Sequence, residues 1–368
     1  MFKTAATTRN LGSYASAAAA RAAKPVPHLL SMRDLTTPQI VSLVNSSLKL
    51  KHYAKNAGVT SAPSQPLKGQ TLAVMFSKRS TRTRVSAESA MAYLGGHAMF
   101  LGSQDIQLGV NESLLDTAKV ISSMVSGIMA RVYKHEEVAE LAKHSRVPVI
   151  NALSDLYHPT QTLADLMTMH EATHADLVAQ GKMGVDNHTD VYQVGIDQTL
   201  PGKKVAWIGD SNNILYDMLN AMPRLGVSVS IATPRGYQVP LELLEAAHKD
   251  ASESKHGTST TVEVSHDPVQ ALEGADFIVT DTWVSMGQES EKAARLRDFA
   301  GFQVSNELIK KSNPSANWKF MHCLPRKQEE VTDEVFYNQR RSIVFEEAEN
   351  RKWTIMAALQ AMLVDGHF

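Results

Sequence analysis

Cysteine is almost missing from this chain: Cys323 is the single one in 368 residues. A lone thiol excludes an intrachain disulfide framework and argues against a cysteine-based zinc site; it fits a reducing compartment without choosing one. Long apolar runs are missing as well. None approaches the roughly 20 residues a helix needs to span a bilayer, so no membrane partner is expected. Neither sign of charge dominates, with 37 basic against 38 acidic residues and a net charge of -1. Binders of a phosphate backbone carry a clear basic surplus, so no nucleic-acid partner is expected either. No Walker phosphate loop occurs, and Gly209-Asp210-Ser211-Asn212-Asn213 lacks the glycine spacing that brings backbone against a pyrophosphate. One absence is local: no acid precedes Asp34, in a segment that holds Lys3, Arg9, Arg21 and Lys24 among many alanines, serines and threonines. This is the composition of a mitochondrial transit peptide. Residues 1–33 are therefore expected to be a transit peptide and disordered N-terminus, removed between about Arg21 and Val26.

What is present is an ordinary globular composition, 43% hydrophobic and 20% charged, in a chain long enough for two domains. Thr36-Thr37-Pro38 reads as a cap with proline in the first helical turn, followed by Ile40, Leu43, Val44 and Leu48 at helical spacing. Short apolar runs then alternate with helical patterns at Leu72 to Phe76, His97 to Leu101, Gly127 to Val132 and Val147 to Ile150. A second series comprises Lys204 to Ile208, Val227 to Ala232, Asp276 to Thr280, Trp318 to Met321 and Ser342 to Phe345. The fold class predicted is α/β, two domains that are each a parallel sheet flanked by helices. The expected boundaries are 34–178 for the first domain, 179–202 for a polar linker or surface insertion and 203–345 for the second domain. Residues 346–368 form an amphipathic helix, with Glu346, Glu347 and Glu349 ahead of Trp353, Ile355, Met356, Leu359, Met362 and Leu363. Ala251 to Thr261 reads as a surface excursion.

Ligands of open parallel sheets bind beyond the carboxyl ends of the strands, so the strand exits carry the functional reading. Ser77-Lys78-Arg79-Ser80-Thr81-Arg82-Thr83-Arg84 follows an apolar run, contains no acid and precedes a helical pattern. Backbone N–H groups at a helix N-terminus, with forked guanidinium donors, suit a phosphate. A solvated basic turn, a basophilic kinase site and an import-like basic run are the competing readings. The other exits of the first series are Ser103-Gln104-Asp105, Arg131 with Tyr133 and His135, and Asp155 with His158-Pro159-Thr160-Gln161. Proline places His158 and Gln161 at one helix entrance, where both face one ligand or His158 serves as a cap. Arg131 emerges from a buried strand as either a site residue or a salt-bridged rim. In the second series Asp281-Thr282-Trp283-Val284-Ser285-Met286-Gly287 offers a carboxylate for an amine, although helix capping is the commoner role of such an Asp. Cys323, between His322 and Leu324-Pro325-Arg326, is a small buried hydrophobe or a reactive thiol.

Five motifs in order, Ser80 to Arg84, His158 to Gln161, Asp281 to Gly287, His322 to Arg326 and Glu349-Asn350-Arg351, resemble the aspartate/ornithine carbamoyltransferase family, and within it the members acting on ornithine. The resemblance covers about Leu35 to Val364. It implies a first domain that binds carbamoyl phosphate and is completed by the C-terminal helix, a second that binds L-ornithine, and a cleft between them as the site. It also implies a mitochondrial matrix enzyme, a homotrimer, no cofactor or metal, and a cis Leu324-Pro325 bond.

The reaction implied is attack of the neutral side-chain amine of ornithine on the carbamoyl carbon, expelling phosphate and leaving citrulline. In the roles it implies, Ser80, Thr81, Arg82 and Thr83, with Arg84 beside them, cradle carbamoyl phosphate. Arg131, His158 and Thr83 meet the carbamoyl oxygen; Gln161 and the carbonyls of Cys323 and Leu324 hold its amino group; Arg351 closes on it. Asn213, Asp281, Ser285 and Met286 bind ornithine. Cys323 lies beside the reacting amine and, with Arg131 and His158, counts as catalytic. The proton of that amine goes to a Cys323 thiolate or to the departing phosphate. Aspartate or putrescine as acceptor, and a non-catalytic nucleotide- or partner-binding α/β protein, are the alternatives. The stretch Ala179 to Gly202 exceeds the connection usual in that family.

Overall fold

The computed structural model describes residues 26–56, 64–104, 112–183, 190–256, 259–285 and 288–368. After helix α1 (Thr37–Asn56), strands and helices alternate: β1 (Thr71–Phe76), α2 (Thr81–Tyr93), β2 (His97–Gly102), α3 (Leu114–Ser122), β3 (Gly127–Arg131), α4 (His135–His144), β4 (Val149–Leu153) and α5 (Pro159–Ala179). These strands form one parallel sheet in the order β2-β1-β3-β4. The chain then continues as β5 (Lys204–Ile208), α6 (Asn213–Ala221), β6 (Ser228–Ala232), α7 (Leu241–Glu253), β7 (Val262–Ser265), α8 (Pro268–Leu272) and β8 (Phe277–Val279). It ends with α9 (Lys292–Asp298), α10 (Asn306–Ser312), β9 (Lys319–Met321), α11 (Asp333–Phe336) and α12 (Val344–Gln360). A second parallel sheet results, in the order β7-β6-β5-β8-β9.

Both sheets follow from residues that can be buried on two faces. β1 is a continuous apolar run with all but its first residue buried, as a parallel strand covered by helices must be. Each sheet reverses direction once, between β1 and β3 in the first and between β5 and β8 in the second. Crevices at such reversals are where polar strand exits gather. Helix α12 packs on α1, α2 and α5, burying Trp353, Ile355, Met356 and Leu359 in the core shared with the first sheet's helices. Each such side chain contributes about 1.5–3 kcal/mol of burial.

Four expectations need correction. Ser342 to Phe345 is not a strand: Ser342 makes one isolated bridge to Phe320, and α12 begins at Val344 with Glu346 and Glu347 in its first turn. The fifth strand is instead β7, an edge strand in which only Val262 is buried, so it lacks the apolar run that announces its neighbours. It leaves the expected surface excursion shortened, because Ala251 to Glu253 belongs to α7. The described part of 179–202 is not a detached insertion: Ile196 and Leu200 are fully buried, and His170 on α5 bonds Thr199 Oγ1 at 2.6 Å and Val191 O at 3.1 Å. Residues 184–189 within it lie outside the described residues. Finally, order begins before Asp34. Leu29 is fully buried and bridges Ile150, and Met32 N–H donates to Asp217 on α6 at 2.9 Å, so this segment ties the two sheets' helices together.

Candidate active site

The exits of β1 and β3 are held together by the Ser77 N–H, which donates to Arg131 O at 2.8 Å. Ser80 then caps α2, its Oγ accepting from Thr83 N–H at 3.3 Å and donating to Thr83 Oγ1 at 3.0 Å. This cap turns Thr83 inward, where it is fully buried and receives Arg351 Nη2 from α12 at 3.0 Å. Arg351 also donates to Gln161 Oε1 at 3.1 Å. Arg82, Arg131 and Arg351 share this corner, and the buried Nε of each lacks a protein acceptor among the described residues. Burial pushes Arg131 down to about 10, with repulsion from Arg351 and Arg82 acting the same way. Burial likewise brings Arg351 to about 10. Three guanidinium groups crowded together and short of acceptors are arranged for a polyanion, because an unpaired buried donor costs about 1–3 kcal/mol.

Two expected members of the phosphate turn do not join the cluster through their side chains. Arg84 is exposed, bonded through Nε to Glu88 Oε1 at 2.8 Å and stacked over the Phe100 ring at 3.8 Å. One helical step of about 100° from the inward Thr83 carries it out to the β2 side. Thr81 opens α2 with its side chain exposed. Asp155 is engaged elsewhere, by Lys134 Nζ and the His135 N–H at the start of α4. Asp105 lies outside the described residues.

Pro159 is the first residue of α5, which brings His158 and Gln161 to one buried corner. Burial, then repulsion from Arg351, Arg131 and Arg82, holds the His158 imidazole well below its usual pKa, so the ring is neutral. Its Nδ1 contacts Thr160 Oγ1 at 3.3 Å. Gln161 Nε2 donates to Asp165 Oδ1 and to Glu347 Oε1, both at 2.8 Å. These two buried carboxyl groups were not singled out from the sequence. Asp165 had a signal, being one helical turn from Gln161; Glu347 had none, since acids in a first turn are the ordinary complement of the helix dipole.

The second sheet supplies the facing wall. Gly209, at a φ of 132° that disfavours any side chain, turns the chain out of β5. Asn212 then caps α6 and donates its Nδ2 to Asp281 Oδ2 at 2.7 Å, while Asn213 Nδ2 reaches Ser154 O at the first sheet's edge at 2.6 Å. Asp281 is buried at the exit of β8, and its other oxygen accepts the Cys323 thiol at 2.9 Å. Downstream, Arg295 pairs with Asp210 at 2.7 Å and donates to Trp283 O, fixing the root of the loop that carries Ser285. The Ser285 N–H donates to Gln288 Oε1 at 3.0 Å. Met286, expected in this group, lies outside the described residues.

His322 is buried at the end of β9. Its N–H donates to Glu347 Oε2, and its Nδ1 accepts the Leu324 N–H at 2.9 Å, which leaves Nε2 toward Glu330 Oε1 at 3.5 Å. Burial lowers His322 to about 4 and raises Glu330 to about 7. Leu324 takes a left-handed φ of 62° and its bond to Pro325 is cis. Asp281, His322 and Cys323 present ligand atoms within 4.8 Å of one another and could hold a metal ion, although the thiol and His322 Nδ1 are already engaged in hydrogen bonds.

Burial, reinforced by the Asp281 charge, pushes the half-buried Cys323 thiol well above its usual range. A ready thiolate is therefore not what this geometry provides; the thiol is a donor to Asp281. Iodoacetamide is expected to alkylate the protein at pH 7.5 at least tenfold more slowly than it alkylates glutathione, and a faster reaction would contradict the protonated thiol.

Comparison with known proteins identifies the family. Residues 27–171 match the aspartate/ornithine carbamoyltransferase carbamoyl-P binding domain, and residues 201–362 match the Asp/Orn binding domain of the same family. A mitochondrial ornithine carbamoyltransferase of Aspergillus niger is 51% identical, over 92% of this chain and 87% of its own length. A mitochondrial ornithine transcarbamylase of Gallus gallus is 44% identical, over 92% and 86%. Among solved structures, a mitochondrial ornithine carbamoyltransferase from Coccidioides immitis superposes with a TM-score of 0.79 at 46% identity, covering 92% of this chain and 98% of that one. One from Pyrococcus furiosus gives 0.79 at 41%, covering 93% and 97%. With two parallel sheets, a cluster of arginines beside the first and both halves of the chain matched, this protein belongs to the aspartate/ornithine carbamoyltransferase family.

Proposed function

We propose that this chain transfers the carbamoyl group of carbamoyl phosphate to the side-chain amine of L-ornithine, giving L-citrulline and phosphate. The observation that carries the reading is the opposition of two chemistries. Acceptor-poor Arg82, Arg131 and Arg351 gather at the first sheet, and buried Asp281 with Cys323 lies at the exits of the second. An aspartate acceptor would need cations for its second carboxylate where this wall offers Asp281; putrescine would leave the polar groups for an amino-acid end unused.

In this mechanism Ser80, Arg82 and Thr83, with the helix end opened by Thr81, hold the phosphate, and Arg351 closes over it from α12. Arg131 and neutral His158 donate to the carbamoyl oxygen as negative charge develops on it. Fixed donors of this kind are each worth about a hundred- to a thousand-fold in rate. Gln161 Oε1 and the carbonyls of Cys323 and Leu324 accept from the carbamoyl amino group. Asn213, Asp281, Ser285 and Met286 seat ornithine, whose side-chain amine has an intrinsic pKa of roughly 10 and attacks only when neutral. The C–N bond forms first, giving a tetrahedral intermediate whose collapse breaks the C–O bond and expels phosphate. Because the Cys323 thiol is already protonated, the departing phosphate takes the amine proton and Cys323 orients the amine.

We further propose a homotrimer in the mitochondrial matrix. The acid-free N-terminus and the relatives' names support the compartment, and the exposed Met99 on β2, Val120 in α3 and Met124 just after it offer apolar surface for subunit contact. The purified chain is expected to form citrulline from ornithine and carbamoyl phosphate, with no product from putrescine or aspartate at equal concentration. Turnover with aspartate alone, or nucleotide binding without turnover, would overturn the reading.

A further inference from the structure

Asp165 and Glu347 are fully buried carboxyl groups, hydrogen-bonded to each other, that the reaction itself does not use. Their four oxygens can be accounted for one by one. Asp165 Oδ1 accepts from Gln161 Nε2, Glu347 Oε1 accepts from the same nitrogen, and Glu347 Oε2 accepts from the His322 N–H. Among the described residues, Asp165 Oδ2 alone of these four has no N–H donor. Two touching carboxylates without a cation between them cannot both stay ionised, and burial raises both groups, Asp165 to about 7. A single proton shared between the two carboxyl groups completes the network.

The consequence falls on Gln161. An amide nitrogen has two protons, and both are taken by this pair, so the amide cannot turn over. Its oxygen must face the Arg351 corner, where it accepts from Nη1 and keeps a second lone pair for a ligand donor. Glu347, through its other oxygen, also pins the backbone at His322, next to the Cys323 and Leu324 carbonyls. We infer that Asp165 and Glu347 are positioning and specificity-determining residues, a one-proton pair that presents acceptors only to the ligand's amino group. The inference rests on the proposed carbamoyl phosphate site and goes beyond it: the pair makes the site select a carbamoyl –NH2 over an isosteric carboxylate. Sites built around a substrate N–H reject analogues lacking it by large factors, because a buried acceptor is left unpaired.

The test compares binding of phosphonoacetamide and phosphonoacetate, measured by calorimetry on the whole protein. Wild type is expected to prefer the amide strongly. Glu347→Gln leaves a single acceptor for two N–H donors, and the preference is expected to fall at least tenfold. Asp165→Asn keeps an acceptor for the Gln161 nitrogen and supplies an isosteric donor to Glu347 in place of the shared proton, and is expected to keep the preference within about threefold. A preference unchanged in Glu347→Gln, or lost equally in Asp165→Asn, overturns the inference while leaving the site assignment standing. Failure of wild type to bind either analogue overturns the site assignment itself. Should Glu347→Gln not fold, neutron diffraction on deuterated wild type with phosphonoacetamide decides. A deuteron between Asp165 and Glu347 with the Gln161 nitrogen on the carboxyl pair supports the inference; that nitrogen facing the ligand sinks it.

Discussion

Arg131→Ala is expected to lower turnover by about a hundred- to a thousand-fold while the KM for ornithine stays within about threefold. The split between the two constants follows from position. Arg131 ends β3, where the pairing with β4 shifts register between Ala130 and Arg131, and it is buried on the arginine side of the site. A donor whose contact strengthens as the carbamoyl oxygen gains charge lowers the transition state more than it lowers bound ornithine. Arg131→Lys is expected to recover only part of the loss, since a point charge does not reproduce the guanidinium fork. Stability should move the other way. Burial and two neighbouring guanidiniums disfavour the charged form of Arg131, so the alanine variant without ligand is expected to melt no lower than wild type. Phosphonoacetamide should raise the melting temperature of wild type more than that of the variant, by linkage to tighter binding. Steady-state kinetics and thermal melts check both halves, and near-normal turnover would remove Arg131 from the oxyanion role.

Asp281→Ala is expected to act on the other substrate, lowering kcat/KM for ornithine by about a hundred- to a thousand-fold with the KM for carbamoyl phosphate within about threefold. Truncating one member of a buried, hydrogen-bonded charge pair costs about 2–5 kcal/mol, and each 1.4 kcal/mol is tenfold. Asp281 also holds Asn212 Nδ2 and the Cys323 thiol, so its loss leaves two donors without their acceptor. The thiol supplies an independent readout. With the Asp281 charge removed, one of the causes that raise the Cys323 pKa disappears, and alkylation by iodoacetamide should become faster than in wild type. Unchanged ornithine kinetics would assign Asp281 to capping alone.

The strands that were legible in sequence are those with uninterrupted apolar runs, such as β1 and β5. Burial on both faces leaves a parallel strand no polar alternation, and the run itself is the signal. β7 escaped because an edge strand with one buried residue carries no such run. Ser342 to Phe345 misled for the converse reason: apolar residues at a helix entrance look the same as a short strand until the following turn is known.

Side-chain direction was the harder quantity. Thr83 and Arg84 are adjacent in one basic motif, yet one is fully buried under Arg351 and the other lies outside over Phe100. Helix phase separates them, and phase depends on where the Ser80 cap starts the first turn. For Cys323 the sequence left thiol and thiolate open; the distance to Asp281 and the burial around it favour the thiol.

The sequence by itself determined the α/β class, the alternation that makes the sheets parallel and the strand exits at which chemistry gathers, because a parallel sheet delivers all its strands' carboxyl ends to one edge. Only the tertiary structure decided which groups at those exits meet. Gln161 and Glu347 stand 186 positions apart, and no local pattern in either segment encodes the 2.8 Å between them. Their contact exists because α12 folds back onto α5, and burial there turns an acid that looked like an ordinary helix-start charge into the partner that fixes an amide.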